Sequence, residues 1–344
     1  MAGSAPLFWL TIKGLACAYR YRGPVSDHFD GKQFYNVPAS HNLSRSDFKK
    51  WCRERKGNTP QWSWQSLPHS SWQPLPAPST NEIQVTLVNH STFLLQFDGL
   101  NVLTDPVWST RVSPFSFAGP QRFHAPGIAL DELPRIDAIW LSHNHYDHCD
   151  VWALREIAQR FPDVHLYVGL GNARLCKDAG ISRVTELDWW QSADLGGHRL
   201  HFVPARHWGA RSLWDKRTTL WGGFVFESSA GPVYFAGDTG FGEFFTEVGE
   251  RYGPMTLSLL PIGAFRPEWF MSPVHMGPDE ALQAHRMVKS QHSVACHFGC
   301  FALADDAQFE PQERLEQLVA DAGLSADAFC VPQAGRTATY SKKS

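Results

Sequence analysis

The apolar residues change their pattern at Ile83. Ile83-Gln-Val-Thr-Leu-Val88, Phe93-Leu-Leu-Gln-Phe97 and Asn101-Val-Leu-Thr104 read as successive antiparallel strands, with Asp98-Gly99 as the hairpin turn between the last two. Beyond Asp105, strand-like apolar runs alternate with helical spacing. A buried strand is expected over 136–141. A helix is expected over 151–161, where Val151, Leu154, Ile157, Ala158 and Phe161 repeat at helical intervals and Asp150 caps the start. Further strands are predicted over 164–168, 184–187, 200–204, 223–227, 233–236, 257–261 and 294–296, and further helices over 171–179, 244–252, 278–289 and 312–322. Two β-then-α halves suit an α/β fold of the αββα four-layer sandwich type, sheets inside and helices outside.

The first 80 residues look different. They are rich in Pro, Ser, Trp and basic residues, and the 66–79 stretch is too broken by proline for regular structure. Residues 1–80 are therefore expected to form an extended arm over a catalytic domain spanning 81–344. An apolar stretch at 5–12 is interrupted at Lys13 and is far short of the roughly 20 residues a membrane-spanning helix needs.

Composition narrows the function classes. With 344 residues, 43% of them hydrophobic, the chain has ample material for a core. A net charge of −3 argues against a nucleic-acid binder that depends on a broad basic surface. Seven cysteines form no C-x-x-C pair, which fits a reducing, cytoplasmic setting better than a disulfide framework. Cys149, Cys296 and Cys300 read as small buried apolar residues. Most of the 14 tryptophans and 23 phenylalanines are assigned to the core, which leaves peripheral membrane contact open for the rest.

The chemistry gathers at Leu141-Ser-His143-Asn-His145-Tyr-Asp147-His148-Cys-Asp150, directly after the buried 136–141 run. A turn there aims His143 and His145 at one cation while Asp147 and His148 reach a second; neutral imidazole and ionised carboxylate suit borderline and hard divalent ions. Packing these groups together without a cation would cost roughly 1–3 kcal/mol each. No G-x-S-x-G element or P-loop offers a different chemistry.

This segment resembles the HxHxDH signature of the metallo-β-lactamase superfamily. Further ligand candidates follow in order at predicted strand ends: His207 after 200–204, Asp238 after 233–236, and His297 after 294–296. Leu103-Thr-Asp105-Pro106, Gly119-Pro120-Gln-Arg122-Phe123, Leu220-Trp-Gly-Gly223, Trp269-Phe-Met271, and His275 followed by Pro278-Asp-Glu-Ala281 resemble the N-acyl-phosphatidylethanolamine-hydrolysing phospholipase D family. That resemblance covers about residues 81–335. It implies that His143, His145 and His207 hold one metal, that Asp147, His148 and His297 hold the other, and that Asp238 bridges them. It also implies two zinc ions, with iron or manganese as substitutes, and a catalytic set of Asp147, Asp238 and His275. His275 would donate a proton to the leaving alkoxide or anchor the phosphate, and His90 would support the ligands rather than join them. Arg122, Trp208 and Trp269 are the candidate substrate residues.

The expected activity is hydrolysis of a phosphodiester in an N-acylphosphatidylethanolamine-like phospholipid by metal-hydroxide attack, since paired cations lower the pKa of water from about 15.7 toward about 7. The alternatives are a lactonase resembling the ascorbate-6-phosphate lactonases, and a metal-binding protein without turnover.

Overall fold

A computed structural model of the chain describes residues 19–38, 44–66 and 72–342. Its centre is a pair of seven-stranded sheets. The first contains β1 (Glu82–Asn89), β2 (Thr92–Phe97), β3 (Leu100–Thr104), β4 (Ala138–Leu141), β5 (His165–Gly169), β6 (Arg183–Leu187) and, at the edge beside β1, the last strand of the chain, β14 (Thr337–Ser341). The second runs β7 (Ser192–Leu195), β8 (His198–Val203), β9 (Gly223–Ser228), β10 (Gly231–Phe235), β11 (Leu257–Pro261), β12 (His292–Cys296) and β13 (Phe329–Cys330). In both sheets one half pairs antiparallel and the other half parallel.

Local chemistry accounts for most of this. Asp98 (φ 50°) and Gly99 (φ 73°) both take the left-handed conformation that a two-residue hairpin requires, so β2 turns into β3 there. Central parallel strands are covered on both faces, and β4 and β11 are accordingly buried along their whole lengths. Between the sheets lie Phe97, Trp140, Phe202, Trp221, Phe224 and Phe226. On the outer face of the first sheet sits α2 (Val151–Arg160), buried through Ala153, Leu154 and Ile157, with α3 (Ala173–Asp178) beside it. The second sheet is covered by α4 (Phe244–Tyr252), α6 (Pro278–Met287) and α7 (Glu310–Asp321). The result is the αββα sandwich.

Besides short elements such as β7 and β13, which the sequence pattern does not announce, two larger departures from the sequence expectation stand out. Arg45–Glu54, within the stretch expected to be extended, forms a helix, α1. Ser44 accepts from the Asp47 amide and Asp47 reaches back to Ser44, a reciprocal cap that starts the helix. Trp51 then anchors it, its ring stacked 4.9 Å from Phe270 and its Nε1 donating to Asp305 (2.7 Å). Phe270 belongs to α5 (Glu268–Met271), a single helical turn. The second departure is β14, whose Thr-Ala-Thr-Tyr-Ser run has only Tyr340 buried and gains its place by pairing Tyr340 with Ile83. No helix among the described residues is long and apolar enough to cross a membrane.

Candidate metal centre

Loops leaving the C-terminal ends of strands in both sheets converge on one edge of the sandwich. β4 passes directly into the Ser142–His148 turn, which ends where Asp150 caps α2 by accepting from the Trp152 and Ala153 amides. The other Asp150 oxygen accepts from the amides of Trp108 (3.1 Å) and Ser109 (2.7 Å), tying the loop after β3 to the same turn. From the second sheet come His207 after β8, Asp238 after β10, His275 after α5 and His297 after β12.

The hydrogen bonds select the imidazole tautomers. Asp105 accepts from the Ser142 amide (2.7 Å), from Ser142 Oγ (2.6 Å) and from His148 Nδ1 (2.6 Å). Because the Ser142 hydroxyl donates to Asp105, it accepts from His143 Nδ1 (2.9 Å), and His143 Nε2 is left as a bare lone pair. His207 Nδ1 donates to the Val274 carbonyl (2.9 Å), which frees its Nε2 in the same way. His143 Nε2 and His207 Nε2 then both point at His145 Nδ1, at 2.9 and 3.1 Å. A single proton on His145 Nδ1 can serve these two lone pairs only by sharing, whereas a cation would be met by all three rings at once.

Beside them, Asp238 Oδ2 lies 3.1 Å from both His148 Nε2 and His297 Nε2. Asp147 Oδ2 lies 3.3 Å from His148 Nε2, 3.4 Å from His297 Nε2 and 3.2 Å from His90 Nε2. Asp238 Oδ2 is also 3.8 Å from His207 Nε2 and 3.9 Å from His275 Nδ1, so this carboxylate stands between the two groups. His145 Nε2, His297 Nδ1, Asp238 Oδ1 and His275 Nδ1 are buried without a hydrogen-bonding partner. Such orphaned polar atoms are costly in a folded protein. Donor atoms within 4.8 Å of one another make four overlapping groups: His143/His145/His207 and a second set, His90/Asp147/His148/His297, which share no residue, with Asp105/His143/His148 and His207/Asp238/His275 beside them. The donor set fits a pair of divalent cations.

Electrostatics agree with the geometry. Burial, reinforced by neighbouring histidines, holds His143 well below the usual histidine value. Burial likewise holds His207 well below it and takes His145 down to about 4 and His90 to about 3. These rings are neutral, the form that ligates metal. His148 behaves in the opposite way: burial opposes its charge, but Asp238, Asp147 and Asp105 outweigh burial and raise it well above the usual value. Burial is overcome at His297 too, chiefly by Asp238, and that ring rises to about 9. Asp147 and Asp238 are held far below the carboxylate range, with His148 outweighing burial in each. Protons on His148 and His297 thus supply the positive charge between the carboxylates that a cation would otherwise supply.

Three residues here hold backbone conformations that non-glycine residues rarely adopt: His90 (φ 47°), Asp105 (φ 34°) and His297 (φ 60°). Each costs on the order of 1–3 kcal/mol and persists because its surroundings enforce it. The His297 amide donates to the His90 carbonyl (3.0 Å), joining two of them. Gly263 lets the loop after β11 pass close by, since a Cβ there would sit 2.1 Å from the His297 carbonyl oxygen.

Every ligand candidate read from the sequence is brought to this edge. His90, expected only as support, has its Nε2 among the donor atoms of the second set. The substrate candidates fare differently. Trp208 packs edge-on to His145, ring centroids 4.4 Å apart. Trp269 lies against α1 instead, under Lys50 and beside Phe270. Arg122 is built into the loop after β3, its Nε and Nη2 donating to the Ser109 and Val107 carbonyls and its guanidinium over Phe301. Only Nη1 lacks a partner, and it is buried. Among the aromatics after β3, Trp108 is buried in the outer core of the first sheet, whereas Phe115 and Phe117 are exposed. Burial raises the thiols of Cys149 to about 11 and Cys300 to about 12, and Cys296 well above its usual value, so all three stay protonated and apolar. Asp105 is the residue sequence reasoning did not place: its Thr-Asp-Pro motif was visible, but the bond to His148 spans 43 positions.

Residues 100–298 match the β-lactamase superfamily domain. The chain is 36% identical over 252 residues to the N-acyl-phosphatidylethanolamine-hydrolysing phospholipase D 1 of Caenorhabditis elegans, a match covering 70% of this chain and 71% of the relative. It is 43% identical over 242 residues to an uncharacterised protein of Mycobacterium tuberculosis, covering 68% of this chain and 63% of that protein. Among solved structures, a metallo hydrolase from Ignicoccus hospitalis superposes with a TM-score of 0.58 at 23% identity, over 76% of this chain and all of the other. The chain belongs to the metallo-β-lactamase superfamily, on the branch that holds the N-acyl-phosphatidylethanolamine-hydrolysing phospholipases D. It is a metal-dependent hydrolase by family.

Proposed function

We propose that this protein is a dinuclear zinc phosphodiesterase that cleaves the head-group ester of an N-acylphosphatidylethanolamine-like phospholipid, in the manner of a phospholipase D. The observation that carries the reading is Asp238 Oδ2, poised between a three-histidine set and a second histidine–carboxylate set. His143, His145 and His207 would hold one cation, Asp147, His148 and His297 the other, and Asp238 both. Bound divalent cations supply Lewis acidity toward phosphoryl oxygens and bring the pKa of water from about 15.7 toward about 7. Zinc suits the imidazole-rich set, and iron and manganese are accepted by the same donors.

The reaction balances as hydrolysis. A solvent oxygen joins phosphorus, the bond from phosphorus to the head-group oxygen breaks, and a water proton ends on the released alcohol. Burial holds His275 down to about 4, so its ring is neutral near pH 7. Of the two roles open to it, a neutral ring suits the phosphate anchor, donating a hydrogen bond rather than a full proton. Trp208 supports the reading by placing an apolar wall beside His145. Phe117, on the loop after β3, and Leu213 and Trp214, on the loop after β8, are exposed by 80%, 89% and 72%. Together with Phe48, Lys49, Lys50 and Arg53, which are exposed on α1, they favour a lipid substrate met at a membrane surface.

The test is a substrate panel. Purified protein is expected to carry close to two metals per chain and to hydrolyse a chromogenic phosphodiester, with loss on chelation and recovery on adding zinc. Lactone opening far faster than diester cleavage would overturn the phosphodiesterase reading in favour of the lactonase.

A further inference from the structure

We propose that Asn36, far from the ligand motifs in the sequence, is a positioning residue for His207, and that through it the N-terminal segment completes the first metal site. The inference rests on the metal-hydrolase reading of that site. Asn36 is buried. Its Nδ2 donates to the His207 carbonyl (3.2 Å), and its Oδ1 accepts from the His207 amide (3.2 Å) and from Trp221 Nε1 (3.1 Å). One side chain therefore holds both backbone polar groups of a ligand residue, while Val274 fixes the tautomer of its ring.

His207 needs such a clamp because of where it sits. β8 ends at Val203 and β9 begins at Gly223; in the 204–222 loop the backbone of Arg206 is pinned by its bridge to Gly240, whereas the amide and carbonyl of His207 itself are met by Asn36. Loops of this length are uncommon in compact domains and are usually functional. The N-terminal segment runs alongside and holds the loop: the Tyr21 amide donates to the Thr218 carbonyl (2.9 Å), the Phe34 amide to Arg217 (2.7 Å) and Gln33 Nε2 to Lys216 (2.9 Å). Asn36 is the last contact of this series and the one that reaches a ligand. Misplacing a metal ligand by removing its hydrogen-bonded support typically costs about 10–100-fold in metal affinity.

The experiment strips metal from the full chain and titrates zinc back against a chromophoric chelator, with the melting of the metal-free protein followed in parallel. Wild type is expected to take up two zinc ions. Asn36→Leu, which keeps a branched side chain but removes both polar groups, is expected to weaken one of the two sites by about 10–100-fold while leaving the other site unchanged. Asn36→Ala leaves room for water to satisfy the freed groups, so it preserves the fold if Leu does not, and is expected to weaken the same single site. Gln33→Ala is expected to stay within about twofold of wild type. Loss confined to one site without a matching drop in metal-free melting supports the assignment. Two unchanged sites in a folded Asn36→Ala or Asn36→Leu protein overturn it, as does equal weakening of both. No zinc uptake by wild type removes the metal-hydrolase reading itself, a result distinct from unchanged uptake by the variants.

Discussion

Asp105 shows how a residue that touches no substrate governs the site. Its carboxylate accepts from His148 Nδ1, and that bond turns His148 Nε2 toward Asp147 and Asp238, where a cation would displace its proton. In Asp105→Asn the amide oxygen can still accept from the Ser142 amide, which turns the amide nitrogen toward His148. An NH₂ group there demands an acceptor, so His148 would carry its proton on Nε2, the atom needed for ligation. The expected result is a loss of about 10–100-fold in metal affinity, with melting of the metal-free protein little changed. Zinc content at limiting metal checks this, and a fully loaded Asp105→Asn protein would show that the tautomer argument is mistaken.

Among the elements, the N-terminal segment is held by a charge that titrates. His28 is buried, stacked 4.4 Å from Trp189, with Nε2 2.7 Å from Asp188 and Nδ1 2.6 Å from Asp27. Burial opposes its protonation, but the bonds to Asp188 and Asp27 outweigh burial and raise it above the usual 6.5. A raised folded-state value means that the stabilisation is fully present below pH 6.5 and is lost as pH rises through the folded-state value. Hydrogen-exchange protection of the Tyr21 and Phe34 amides, which donate to the 217–218 loop, should therefore fall at alkaline pH. His28→Ala should abolish that pH dependence and leave protection uniformly low. Unchanged protection across the range would mean that the segment is held by its aromatic contacts alone, such as Phe34 against Trp221.

At the scale of the whole molecule, the candidate metal centre is a seam between the two sheets. His143, His145, Asp147 and His148 follow β4 of the first sheet, whereas His207, Asp238 and His297 follow strands of the second. Bound cations would clip the sheets together at that edge, and binding restricted to the folded state stabilises by about 2.7 kcal/mol per site at a hundredfold excess over Kd. Calorimetry with zinc and with chelator should show a melting rise of several degrees for the zinc form. Melting indifferent to metal would mean that the ligands do not meet one cation across the seam. The local parts of this architecture were legible in the sequence: the Asp98-Gly99 turn, the Asp150 cap, the 244–252 helix and the 257–261 strand all depend on neighbours a few positions away. So was the gathering of His143, His145, Asp147 and His148, because four candidate donors in six positions after a buried strand are desolvated together at a cost that a bound cation would offset. What only the tertiary structure decided depends on contacts between residues far apart in the chain. β14 has too few buried positions to announce itself and becomes a strand only by pairing with β1. Arg122 and Trp269 carry side chains suited to a substrate, yet packing turns them to loop carbonyls and to α1. Asn36 lies 171 positions from His207, and no periodicity or motif links them; the bond exists because folding lays the N-terminal segment along the 204–222 loop.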